Sequence, residues 1–355
     1  MECALPFESH YDRAFLWIIM QLEHSGAIRP GDDLVEITSG SGGASFAGMC
    51  LMFGYQAHVI VAPETIPERI KPMIDLGAKV YLSHPGGVPS AAQAMLTQMQ
   101  WFGSGRNGYA RVGGYATPDN PFFVYQSESH RVCFPNHSWL RHSVASFRDI
   151  SSEVQRVIGR ARQPVTDVIS ALGNWTTTTA LAEQLAQWPN PPRLIGAEDL
   201  AHAPITALLH PELGIPPPGP HETPGTGSAG VNIRFADPSK LADSFAIASG
   251  DFIPLQARYN RGNLDIDQIG RSTALCRAVA ERIGNDGDVI VYPSYDSWDR
   301  YGDRPPEVSL TDARRHYSRI IPWAGRSQRS VQDVTKLPHS LAEFARQHEA
   351  AGLAV

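Results

Sequence analysis

The chain has 355 residues, enough for two lobes or one large domain, and 42% of them are hydrophobic, an ordinary share for a globular protein. Its formal net charge of −6 speaks against a nucleic-acid or anionic-membrane partner. The cysteines Cys3, Cys50, Cys133 and Cys276 form no Cys-x-x-Cys pair, and no apolar run is long enough to span a bilayer.

In chain order, the first residues lack the basic start and apolar core of a signal peptide, so a reduced, cytoplasmic setting is expected. Residues 12–26 read as an amphipathic helix whose apolar positions include Ala14, Leu16, Ile18, Ile19 and Leu22, closed by Ser25-Gly26. Ile28-Arg-Pro-Gly-Asp-Asp33 turns into a short strand of Leu34, Val35 and Ile37. Thr38, Ser39, Gly40, Ser41, Gly42 and Gly43 then form a small-residue turn, and a helix over 44–53 stops at Gly54. Such a turn gathers backbone N–H groups, hydroxyls and a helix N-terminus around one spot, an anion site best suited to a carboxylate. Glycine for close packing of strand on helix is the other reading.

A near-continuous apolar strand follows at 58–62, a helix opening at Pro63-Glu-Thr-Ile-Pro-Glu-Arg ends at Leu76-Gly77, and 79–82 is the next strand. This βαβαβ order predicts a doubly wound parallel sheet. Residues 89–102 read as helix and 103–121 as loop. After Ser143 the logic repeats: helix 144–162, strand 167–172, a second turn Gly173-Asn-Trp-Thr-Thr-Thr-Thr179, helix 180–188 and strand 193–197. A Pro/Gly-rich loop fills 214–230, helix 273–283 and strand 288–293 follow, and 340–351 reads as a terminal helix.

The order of anchors resembles the fold-type II pyridoxal-phosphate enzymes, in the cysteine synthase / cystathionine β-synthase branch of the tryptophan synthase β superfamily. Ser9-His-Tyr-Asp-Arg13 and Gly26-Ala-Ile-Arg-Pro-Gly31 resemble the family's Ser-x-Lys-Asp-Arg helix and the turn after it. Thr38-Ser-Gly-Ser-Gly-Gly43 resembles the loop that holds the substrate carboxylate, and Gly173-Asn-Trp-Thr-Thr177 stands at the phosphate cup. Ile269-Gly-Arg-Ser-Thr-Ala274 sits where a serine meets the pyridine nitrogen, and Val289-Ile-Val-Tyr-Pro293 and Asp296-Ser-Trp-Asp-Arg-Tyr301 resemble the closing segments.

The resemblance implies an α/β fold of two parallel-sheet, three-layer αβα lobes with the site in the cleft between them. It divides the chain into a small lobe at 34–143, a large lobe of 1–33 with 144–306, and a C-terminal extension at 307–355. It also implies a homodimer. Family members carry a further N-terminal strand before the lysine helix, and the expectation here is that this strand comes from a partner or is absent.

The departures bear on chemistry. Tyr11 stands at the cofactor-lysine position, and a phenol forms no imine with an aldehyde. Lys71, Lys79, Lys240 and Lys336 read as solvated surface charges. Asn174, Trp175 and Thr176 replace Thr-Gly-Gly of the cup, where bulk at Trp175 suits a left-handed backbone poorly, and Ser41 replaces an asparagine that meets the cofactor ring. The expectation is a cysteine-synthase-like protein without a cofactor, in which Tyr11 is catalytic and Thr38, Ser39, Gly40, Ser41 and Gly42 bind a small carboxylate or amino acid. Gly173, Asn174, Trp175, Thr176, Thr177 and Ser272 then line a vestigial cofactor pocket. A non-catalytic partner of an active relative, and a lyase or transferase holding pyridoxal phosphate non-covalently, stay open beside it. His130, Cys133, His137 and His142 have donor atoms for a metal, but their spacing matches no standard zinc pattern, and they read as ordinary histidines and a thiol in a loop. No metal is expected.

Overall fold

Two sheets organise the chain, and each follows from runs of apolar and β-branched residues too short to be helices. In this computed structural model the described residues are 5–38, 40–62, 65–82, 123–126, 131–134, 137, 141–161, 163–219, 221, 223, 225–227, 235–259, 269–296 and 310–317. Ser39, the predicted helices at 89–102 and 340–351, the loop at 103–121, His130, Lys336 and most of the closing segment at 296–301 lie outside them.

The chain divides into two units, one of Leu5–Leu140 with Arg300–Val355, the other of Arg141–Asp299 with Met1–Ala4. This division groups residues 5–33 with the strands that follow, where the sequence expectation placed 1–33 with the later lobe.

In the first unit, helix α1 (Tyr11–His24) precedes strand β1 (Asp33–Ile37), helix α2 (Ser41–Phe53), strand β2 (Gln56–Val61), helix α3 (Pro67–Asp75) and strand β3 (Lys79–Leu82). Strands β4 (Phe123–Gln126) and β5 (Arg131–Phe134) complete a sheet in the order β3-β2-β1-β5-β4, parallel except for the antiparallel β4/β5 pair. That pair was not foreseen, and β5 occupies part of the stretch read as a histidine-bearing loop. Every residue of α2 is buried. Its small residues permit this: a Cβ on Gly48 would lie 2.2 Å from the Phe7 ring, so helix and aromatic meet without a side chain between them. Phe15, Ile18, Ile19 and Leu22 of α1 join the same core.

Asp12 fixes the entry of α1. Its carboxylate accepts from the Phe7 amide at 2.8 Å, the Ser45 hydroxyl at 2.6 Å and the Tyr317 hydroxyl at 3.2 Å. Tyr317 ends helix α9 (Leu310–Tyr317), whose Ala313 also enters this core, so part of the expected extension at 307–355 belongs to the first unit.

The second unit holds helix α4 (Arg141–Ala161), strand β6 (Asp167–Ala171), helix α5 (Thr176–Leu185), strand β7 (Arg193–Asp199), helix α6 (Pro204–Leu209), strand β8 (Asp243–Ile247), helix α7 (Ser249–Tyr259), helix α8 (Arg271–Ile283) and strand β9 (Ile290–Val291). Its sheet runs β8-β7-β6-β9, parallel throughout. Both α2 and α5 start earlier than their sequences suggest. Glycine and threonine are weak helix formers, and burial of Thr176, Thr177, Thr178 and Thr179 overrides that preference.

Candidate functional site

Strand β1 ends at the turn that opens α2. The Gly40 amide donates to Thr38 Oγ1 at 3.1 Å, and Gly40 adopts φ +144°, a backbone that side chains rarely allow. A second constraint acts there: a Cβ on Gly40 would lie 2.5 Å from Arg69 Nε and 2.7 Å from its Cζ. The guanidinium of Arg69, on α3 and only 3% exposed, therefore lies against the turn and donates from Nη2 to Ser41 Oγ at 2.9 Å. Sequence reasoning missed Arg69 as a site residue. The signal was its place in the helix that opens at Pro63-Glu-Thr-Ile-Pro-Glu-Arg, two residues before a lysine that faces solvent.

Tyr11 is the first residue of α1 and comes close to the same turn. A Cβ on Gly42 would sit 3.5 Å from Tyr11 Cδ2 and 3.2 Å from Thr38 Oγ1. The Tyr11 ring lies 4.0 Å from His10 and meets His137 edge-on at 5.2 Å. His137 is buried; its amide donates to Glu36 Oε2 at 3.0 Å and its Nδ1 lies 3.2 Å from the same oxygen. The structure thus brings Tyr11, Thr38, Gly40, Ser41 and Gly42 together, and adds Arg69, His137 and Glu36. Of the other residues weighed and set aside as metal donors, Cys133 is buried in β5, and His142 sits on α4, where burial pushes its pKa down. Among the described residues no group of three His, Cys, Asp or Glu side chains is placed to hold a metal.

The second unit carries the other turn. Gly173 is required by a close approach, since a Cβ there would lie 2.1 Å from the Gly225 carbonyl oxygen. Asn174 Oδ1 accepts from the Thr176 amide at 3.1 Å and from its hydroxyl at 2.7 Å. Trp175, as N-cap of α5, takes φ +66° with its indole 2% exposed. The expectation that bulk suits this backbone poorly meets a physical answer here: the left-handed conformation is kept, and burial of the indole offsets its strain. Ser272 is the second residue of α8 and half-buried. Tyr295 is a clamp within this unit, its hydroxyl 3.2 Å from Ser170 Oγ and accepting from the Ala171 amide at 3.0 Å.

A parallel α/β architecture with glycine turns that follow β1 and β6 belongs to the class of α/β folds on which many enzymes are built. The profile described as "Pyridoxal-phosphate dependent enzyme" matches residues 1–245, and the chain belongs to that family. Within it the chain is similar to cysteine synthases. Cysteine synthase B of Salmonella typhimurium is 28% identical over 165 residues, 46% of this chain and 53% of the relative. Cysteine synthase B of Pseudomonas syringae pv. syringae is 31% identical over 127 residues, 36% of this chain and 73% of the relative. The chain thus spans about half the length of the Salmonella relative it matches. The fold is that of solved fold-type II enzymes. A hydrogen sulfide-producing enzyme from Fusobacterium nucleatum superposes with a TM-score of 0.67 at 20% identity, covering 85% of this chain and 90% of that one. An O-ureido-L-serine-bound mutant of O-ureido-L-serine synthase gives 0.66 at 20% identity, covering 84% and 82%. No helix among the described residues is long and apolar enough to cross a membrane.

This membership overturns the expectation of no cofactor: pyridoxal phosphate is the group the family implies. The start of α5 fits a phosphate in several respects. It has the left-handed N-cap of Trp175 and a run of buried threonines at a helix N-terminus. The Asn174 carboxamide shares the Thr176 donors with any such phosphate. Covalent attachment needs an amine. Among the described lysines, Lys71 pairs with Asp75 on the exposed side of α3, Lys240 pairs with Asp237 at 3.8 Å, and Lys79 is exposed. Among the described residues, the start of α5 is where a phosphate would be received.

Proposed function

We propose that the chain is a cysteine-synthase-like lyase or transferase acting on a small amino acid. The carboxylate of that amino acid docks at Thr38, Ser39, Gly40, Ser41 and Gly42. Tyr11, at the position the resemblance gives to the cofactor lysine, acts as hydrogen-bond donor or acid–base group. Gly173, Asn174, Trp175, Thr176, Thr177 and Ser272 hold pyridoxal phosphate without a lysine link. When bound, that group supplies electron withdrawal at the substrate α-carbon. The observation that carries the reading is the turn itself. A buried guanidinium lies against Gly40 and bonds Ser41, while a phenol ring lies over Gly42, so a cation, a hydroxyl and a helix N-terminus converge at one turn. As in the resemblance, the assembly is a homodimer.

The test uses the full chain loaded with pyridoxal phosphate and supplied with O-acetyl-L-serine and sulfide. The expected result is L-cysteine formation that falls by at least about tenfold in Tyr11→Phe, with the cofactor released on denaturation after borohydride treatment. A borohydride-fixed pyridoxyl group on any lysine refutes the cofactor arrangement. No bound cofactor and no turnover of any β-substituted serine supports the second reading, a non-catalytic partner of an active relative. The Asn174 carboxamide favours that reading, because it already takes the donors a phosphate uses.

A further inference from the structure

Helix α5 begins without an ordinary cap. Its N-cap is Trp175, whose indole N–H can only donate and whose side chain makes no capping bond. The first amides of a helix have no partner inside it, so this end draws on the residue before. Asn174 Oδ1 accepts from the Thr176 amide at 3.1 Å and from the Thr176 hydroxyl at 2.7 Å. A backbone amide only donates, so the atom it meets is the carboxamide oxygen and not the nitrogen. The left-handed backbone of Trp175 beside helical Thr176 turns successive amides toward one place, the concave form that receives anions. The oxygen standing there in this chain is Asn174's own.

The threonines behind it are committed as well. Thr178 Oγ1 shares a hydrogen bond with Ser170 Oγ at 2.8 Å, and Thr179 Oγ1 donates to the Phe235 carbonyl at 3.1 Å. The hydroxyls of Thr176, Thr178 and Thr179 are thus all bonded within the second unit. A phosphate that reaches this helix end takes its donors by exchange. It offers charge-assisted bonds, which are stronger than those of a neutral carboxamide. The carboxamide is tethered two residues from Thr176, so it competes at high effective concentration.

We infer that Asn174 sets the affinity of this turn for a phosphate ester by occupying the Thr176 donors with its own oxygen. It is the group a phosphate must displace, and it caps α5 whenever no phosphate does. The inference rests on the reading of the start of α5 as the phosphate's place.

The test is calorimetric titration of the full chain with pyridoxine 5′-phosphate, which has no aldehyde and so forms no imine with a lysine. Pyridoxine, which lacks the phosphate, is the control, and the thermal midpoint of each ligand-free chain is read by circular dichroism. Asn174→Ala removes the competing oxygen. It is expected to bind the phosphate ester about tenfold more tightly, the scale of two neutral hydrogen bonds, and to melt at a lower temperature. Asn174→Asp keeps the shape and adds a negative charge, so binding is expected to weaken by at least about tenfold without that loss of midpoint. Pyridoxine shows no gain in either variant. An Asn174→Ala chain that loses stability and binds no more tightly makes Asn174 a helix cap only, which overturns the inference. A gain shared by pyridoxine overturns it too, because the change then lies outside the phosphate. Where Asn174→Ala does not fold, Asn174→Asp decides, and binding as tight as the parent's overturns the inference. Failure of the parent and both variants alike to bind the phosphate ester overturns the phosphate reading of α5 itself, and the inference falls with it.

Discussion

Trp175 sets two physical effects against each other, and their sizes predict which one wins. Its backbone sits at φ +66° at the N-cap of α5, a conformation that costs a residue with a Cβ about 1–2 kcal/mol. Its indole is 2% exposed, and truncating a buried aromatic costs roughly 3–5 kcal/mol. Trp175→Gly removes both, so net destabilisation is expected at roughly 2–3 kcal/mol. Trp175→Ala loses the indole and keeps the strain, so it falls below the glycine variant by about 1 kcal/mol. Urea denaturation followed by circular dichroism measures both, with the midpoint compared at constant slope. The difference between the two variants isolates the backbone contribution. An alanine variant as stable as the glycine one refutes the left-handed strain, and a glycine variant as stable as the parent refutes the burial argument.

Three further outcomes follow from local geometry. Gly48→Ala gains helix propensity of about 1 kcal/mol but forces a Cβ to within 2.2 Å of Phe7, so a net loss of roughly 1–2 kcal/mol is expected, reversed in part by Phe7→Leu and read by the same denaturation. Asp12→Ala orphans the Phe7 amide, the Ser45 hydroxyl and the Tyr317 hydroxyl, costing roughly 3 kcal/mol and releasing α9, which limited proteolysis after Tyr317 would detect as faster cleavage. His210 is bonded to Asp243 Oδ1 at 2.6 Å, and that bond, with Glu212 nearby, raises its pKa. The sign is therefore fixed: the contribution to stability is present in full below the ordinary histidine value and is lost as pH rises through the raised one. Proton NMR should show His210 titrating high in the parent and near the ordinary value in Asp243→Asn.

Much of the fold is legible in the residues because period and punctuation agree. The apolar runs at β1, β2, β6 and β7 are too short for helices and stop at glycine or polar turns, so the parallel order follows. The turn at Gly40 and the approach at Gly173 are legible too, since only glycine tolerates them. Three things were not legible. The β4/β5 hairpin depends on pairing with β1 across a long stretch of chain, which local pattern does not encode. The early starts of α2 and α5 run against propensity and rest on tertiary burial. Arg69 and His137 look like any charged helix residue and any loop histidine until strand order brings them to Gly40 and Tyr11.

The cofactor expectation failed for a reason that applies beyond this chain. It treated one substitution, Tyr11, as removal of a bound group, when a phosphorylated pyridine is recognised by many contacts of which a lysine link is one. The helix N-terminus and the left-handed cap of α5 serve the fold of α5 itself, so they do not depend on which residue stands at position 11. Whether residue 11 carries an amine is therefore a separate question from whether the start of α5 can receive a phosphate.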